Sequence, residues 1–184
     1  TKIHESIAYS DFALKRFFET ASKQEWYKNT LFVVVADHTS AEPTEAKFKT
    51  NVGKFRIPIL FFDPSNPELA GKNMKNLQQI DVMPSVLDYL NIDTKMISYG
   101  KSYQSEKDFV VYYLDNIYHY VSGDYYLAFD GKKSLGLYNF KKDELLKTNL
   151  IKTEKAKATE METFIKAYIQ SFNERMIGNK LTLQ

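Results

Sequence analysis

The chain has 184 residues, 43% hydrophobic and 15% aromatic, which suffices for one sizeable core and is too apolar for a disordered segment. Its 25 basic and 23 acidic side chains nearly balance at a net charge of +2, so composition gives no electrostatic ground for a nucleic-acid or anionic-membrane partner. The absence of cysteine excludes disulfides, and no apolar run reaches the roughly 18 residues that a bilayer-spanning helix needs.

In chain order, Glu5 to Lys23 places Ile7, Ala8, Leu14, Phe17, Phe18 and Ala21 on an amphipathic helical stripe, with Lys15, Arg16 and Glu19 on other faces. The turn Lys28-Asn29 leads to Leu31 to Ala36, a short, β-branched, continuously apolar run that predicts a parallel strand covered on both faces. A second such strand is predicted from Ile57 to Phe62, stopped by Asp63-Pro64. A helix is predicted from Asp81, with the Asp81 carboxylate as its N-cap and Pro84 in a first turn where a missing N–H costs no intrahelical bond. Strands alternating with helices in this way read as α/β.

The texture changes near Ser98. Short aromatic runs at Phe109 to Leu114, Ile117 to Val121, Tyr125 to Phe129 and Ser134 to Phe140 are separated by Asn, Asp and Gly turns, which predicts an antiparallel meander. A last helix is predicted from Thr153 to Met176, where Met161, Phe164, Ile165, Tyr168, Ile169 and Phe172 fall at helical spacing to pack on that meander. The division expected is therefore residues 1–97 and 98–184, with no internal repeat or low-complexity tract.

Asp37 and His38 stand where the first apolar run stops. A carboxylate and an imidazole side by side offer a divalent cation one charged oxygen and one neutral nitrogen. Successive strand residues point to opposite faces, so both can reach one ion only if the backbone bends, and Thr39-Ser40-Ala41-Glu42-Pro43-Thr44 has the composition of a bend. Thr39 is a candidate to order the pair through its hydroxyl. The competing reading of such a dipeptide is the start of a solvated loop.

Three segments follow one another in order: Asn29 to Thr39 with the Asp-His pair, Gly53 to Phe62, and Gln79 to Leu90. A fourth, Leu137-Tyr138-Asn139-Phe140 running on to Asn149-Leu150, lies ahead of the last helix. This series resembles the carboxyl-terminal half of the sulfatase-like branch of the alkaline phosphatase superfamily, and within it the lipoteichoic acid synthase type of phosphoglycerol and phosphoethanolamine transferases. The resemblance implies the carboxyl-terminal part of an α/β/α sandwich over residues 1–97, then a small antiparallel sheet packed with a carboxyl-terminal helix over 98–184.

The same resemblance implies that Asp37 and His38 ligate the catalytic metal, with manganese favoured and magnesium or zinc as alternatives. It places the nucleophile, a Thr or a sulfatase-type Cys or Ser, in an upstream part of the polypeptide, together with the first acidic ligand. The chain alone is therefore expected to be catalytically silent, its partners being that amino-terminal half and a glycolipid or phospholipid head-group substrate. The parent is expected to be anchored in the bacterial inner membrane, its catalytic part facing the cell envelope outside the cytoplasm. In the family's chemistry the nucleophile attacks a phosphodiester and forms a covalent phospho-enzyme, later resolved by water or a sugar hydroxyl. The alternatives are a sulfatase or phosphonate hydrolase on the same scaffold, or a non-enzymatic binding module.

The other chemistry-bearing residues read more plainly as structure. Glu42 and Glu45 are expected to be solvated, His4 and His119 to be structural, Arg56 to make a surface ion pair and Trp26 to pack in the core or at its edge. The tyrosines of the meander suit sheet packing better than a sugar platform.

Overall fold

The computed structural model describes residues 2–183, and their packing forms two compact units. Of the described residues, the first comprises 2–36 and 58–72, the second 37–57 and 73–183.

In the first unit, helix α1 (Lys2–Ala21) precedes two short strands, β1 (Phe32–Val35) and β2 (Ile59–Phe62). Its core is aromatic: Phe18 lies 5.2 Å from Phe32 and 5.8 Å from Phe62, and the rings of Phe32 and Phe62 are 5.9 Å apart. Trp26 packs at the edge of this cluster, 6.3 Å from Phe32. The helical stripe is only partly used, since Ala21 is buried whereas Ile7, Leu14 and Phe17 stay exposed.

The expected pair of parallel strands is corrected here. β1 and β2 run antiparallel, with Phe32 opposite Phe62 and Val35 opposite Ile59. A parallel pair needs a crossover, commonly a helix, and the chain between these strands holds only two short 3-10 turns. Nor are the strands covered on both faces, for Val35 and Leu60 are exposed.

The second unit contains helix α2 (Val82–Tyr89), strands β3 (Phe109–Leu114), β4 (Ile117–Ser122), β5 (Tyr125–Phe129) and β6 (Ser134–Asn139), and helix α3 (Lys155–Ile177). The four strands form an antiparallel meander in sequence order. Asp115 and Asn116 turn β3 into β4, both at positive φ (52° and 60°), the conformation a tight hairpin demands and one that short polar side chains tolerate best. α2 ends where Asn91 takes φ 52° and the Ile92 N–H donates back to the Leu87 carbonyl, a left-handed C-terminal stop.

One face of the meander packs on α3: Tyr120, Leu127, Phe129 and Leu137 bury against Ala158, Met161 and Ile165. The other face gathers Val121, Tyr126 and Ala128 with Val52, Val110 and Tyr138. A four-stranded antiparallel sheet with a helix docked on it is thus the architecture that follows α2, within a mixed α/β chain. No helix among the described residues is long and apolar enough to cross a membrane.

Asp81 stands at the N-cap position of α2, but its side chain makes no capping bond to that helix. It ends a 3-10 turn (Gln79–Asp81) in right-handed helical geometry, so its carboxylate turns inward. That carboxylate accepts from the Gln78 N–H (2.9 Å), the Lys101 N–H (2.8 Å) and the Lys101 ammonium (2.8 Å). Lys101 spends its other two donors on the Asn76 and Phe109 carbonyls, at 3.0 and 2.8 Å, so the buried pair is fully hydrogen-bonded.

Candidate metal centre

One residue past β1 the chain bends at Asp37 and His38, and the bend brings their two side chains together. The Asp37 carboxylate accepts from the His38 backbone N–H at 2.9 Å, while its second oxygen lies 3.5 Å from His38 Nε2. Both side chains open to solvent, 87% exposed for Asp37 and 76% for His38, so an ion approaching from water meets both together.

The imidazole is held from behind. His38 Nδ1 lies 2.7 Å from the Thr39 carbonyl oxygen. A carbonyl only accepts, so Nδ1 carries the proton and in the neutral ring Nε2 keeps its lone pair on the side of the carboxylate. This is the orienting contact that metal-ligating histidines commonly have. It comes from the Thr39 main chain; the Thr39 hydroxyl instead donates to the Lys54 carbonyl at 2.6 Å. A further anchor, Gln79, carries no sequence signal: its side-chain amide donates to the Asp37 carbonyl at 3.0 Å.

The donor set fits part of a divalent site, one hard oxygen and one imidazole nitrogen. No group of three or more His, Cys, Asp or Glu side chains gathers among the described residues. Glu45 is occupied with Lys47, its carboxylate 3.0 Å from the ammonium. Arg56 is exposed, and His4 lies on the exposed surface of α1.

His119 is buried within the meander, its ring stacked on Tyr112 (centroids 4.7 Å apart) and its Nδ1 2.7 Å from the Tyr126 hydroxyl. Burial pushes the His119 pKa down, pushes that of Tyr126 up to about 12, and drives Tyr112 well above the ordinary tyrosine range. These groups are therefore neutral at physiological pH and act by packing and hydrogen bonding.

Gln79 also borders an apolar cleft of about 730 Å³, lined by Ile80, Met83, Tyr99, Tyr113, Tyr168 and Phe172 among others.

A family model described as Sulfatase matches residues 1–92. No curated protein matches the chain. Among solved structures, the chain is similar to a protein in the alkaline phosphatase superfamily from Vibrio parahaemolyticus, at 22% identity and a TM-score of 0.74 over 96% of this chain and 42% of that one. It is also similar to Ps i-CgsB, at 17% identity, and to the same protein in complex with k-i-k-neocarrahexaose, at 16%; both have a TM-score of 0.65 over 86% of this chain and 40% of theirs. At these identities the likeness is one of fold, and the chain spans about two fifths of the length of these structures.

Proposed function

This chain belongs to the sulfatase family, and on that premise we propose that it supplies two metal ligands, Asp37 and His38, to a metal-dependent hydrolase or transferase acting on a phosphate or sulfate ester. The observation that carries the reading is the Nε2-to-carboxylate approach of 3.5 Å on an exposed loop, with the ring's other nitrogen tied to a carbonyl. A divalent cation held there would offset charge on the ester oxygens and acidify the attacking hydroxyl. Manganese is the proposed ion, with magnesium and zinc as alternatives.

The order of the four sequence segments supports a transferase of lipoteichoic acid synthase type, working on a glycolipid or phospholipid head group at the outer side of a bacterial inner membrane. In this reading the nucleophile and the remaining ligands belong to an amino-terminal part of a longer polypeptide. The family's own chemistry keeps one alternative open, a sulfatase on the same scaffold.

The test is made on the polypeptide encoded by the complete gene, assayed with Mn²⁺ for glycerol phosphate release from phosphatidylglycerol and for sulfate release from an aryl sulfate. Phosphodiester cleavage lost in both Asp37→Ala and His38→Ala supports the proposal. Sulfate release with the same dependence selects the sulfatase. Turnover indifferent to both substitutions removes the two residues from the site.

A further inference from the structure

The loop bearing Asp37 and His38 depends on a prop that is remote in sequence. Thr39 hangs by its hydroxyl from the Lys54 carbonyl, so the position of Lys54 decides where the Thr39 main chain lies. Lys54 belongs to a tightly wound stretch. Thr50 Oγ1 donates to the Lys47 carbonyl at 2.9 Å and accepts from the Gly53 N–H at 3.0 Å, and Gly53 lies so close to Lys47 that a Cβ would stand 1.8 Å from its carbonyl oxygen.

This stretch meets the sheet at Tyr112 of β3. The Tyr112 hydroxyl donates to the Asn51 carbonyl, and its ring lies 4.3 Å from that of Phe55, so one side chain touches both flanks of the Gly53-Lys54 turn. Tyr112 is itself fixed from behind. Its cross-strand partner His119 stacks on it with ring planes 10° apart, and His119 is in turn bonded to the buried Tyr126 hydroxyl. Ring packing alone would need only the aromatic face. The hydroxyl adds a directional bond to the main chain, and that bond sets where the turn sits.

We propose that Tyr112 is a positioning residue for the His38 imidazole. By holding Asn51 and Phe55 it places the Lys54 carbonyl, which fixes Thr39, whose own carbonyl selects the His38 tautomer with Nε2 free for a cation. The link to metal rests on the reading of Asp37 and His38 as ligands; the link from Tyr112 to the ring does not.

The experiment is a long-range ¹H–¹⁵N spectrum of the three histidine rings at about pH 8, where imidazoles are neutral, followed by titration with Mn²⁺. In the unsubstituted chain His38 should show the Nδ1-protonated pattern. Tyr112→Phe keeps the stack and removes only the hydroxyl; it should shift His38 towards the Nε2-protonated form and raise the Mn²⁺ concentration that broadens the His38 signals about 10-fold. Thr39→Val cuts the same chain of contacts at its other end and should give the same tautomer shift. A His38 tautomer that is unchanged in Tyr112→Phe overturns the proposal, whatever Thr39→Val does. If Mn²⁺ leaves His38 untouched in the unsubstituted chain while the tautomer still follows Tyr112, the positioning of the ring by Tyr112 stands.

Discussion

The Lys101 ammonium sits 2.8 Å from the Asp81 carboxylate with both side chains almost wholly removed from water, 4% and 2% exposed. Removing one partner leaves the other as an uncompensated buried charge, which costs about 3–5 kcal/mol. Lys101→Met is therefore expected to lower unfolding stability by about that amount in urea titration. The double variant Asp81→Asn, Lys101→Met should lose less than the sum of its single variants, because it leaves no bare charge behind. A loss below about 1 kcal/mol in Lys101→Met would mean that water reaches the carboxylate.

Gly53 packs against main chain. A Cβ there would meet the Lys47 carbonyl oxygen at 1.8 Å and the Phe48 Cα at 2.9 Å, neither of which can rotate away. Gly53→Ala should therefore destabilise the second unit by about 1–3 kcal/mol and displace the Lys54 carbonyl on which Thr39 hangs. Its thermal midpoint and His38 ring shifts, compared with those of the unsubstituted chain, measure both effects. Unchanged His38 shifts despite a lowered midpoint would separate the turn from the imidazole.

The meander was readable because its signals are local: aromatic and β-branched runs broken by Asp115-Asn116, Gly123 and Gly131. The direction of β2 was not, since a short apolar run such as Ile59–Phe62 looks the same in either orientation and pairing decides. Asp81 misled for a related reason. An aspartate ahead of a helix is ordinarily its cap, and nothing in the sequence marks a lysine 20 residues on as its partner. At the candidate site the Asp37-His38 dipeptide was visible, but the parts that orient it were not. One is a main-chain carbonyl, which every residue possesses; another is Tyr112, which bonds a residue 61 positions away.

Burial of His119 makes stability depend on pH with a definite sign. Its folded-state pKa lies below the ordinary value of about 6.5 because the charged ring would be stripped of water, with the Lys54 charge acting in the same direction and Asp115 opposing. Above that value both folded and unfolded chains hold the ring neutral, and it adds no pH dependence. As pH falls below it, the unfolded chain takes up a proton that the folded chain refuses, so stability is lost until the folded-state pKa is reached. Denaturation midpoints measured from about pH 7.5 down to about pH 5 should therefore fall more steeply in the unsubstituted chain than in His119→Phe. Parallel curves would show that His119 is hydrated or otherwise free to charge.

Catalysis by this chain alone is the sharpest test of how the proposed site is divided. Asp37 and His38 bring two donors, and among the described residues no group of three or more potential ligands gathers. Two ligands on an exposed loop hold a cation weakly, and the reaction further requires a hydroxyl nucleophile poised within about 3–3.5 Å of the ester. Neither Thr39 nor Ser40 meets this need in the proposed reading: the Thr39 hydroxyl is committed to Lys54, and the Ser40 hydroxyl accepts from the Glu42 N–H in a local turn. Mn²⁺ added to the 184-residue chain should therefore produce no phosphodiester or sulfate-ester turnover above the metal-only control. Adding an amino-terminal part that carries the nucleophile should restore it. Measurable turnover by this chain that disappears in Asp37→Ala would place a nucleophile within these residues and overturn the proposed division.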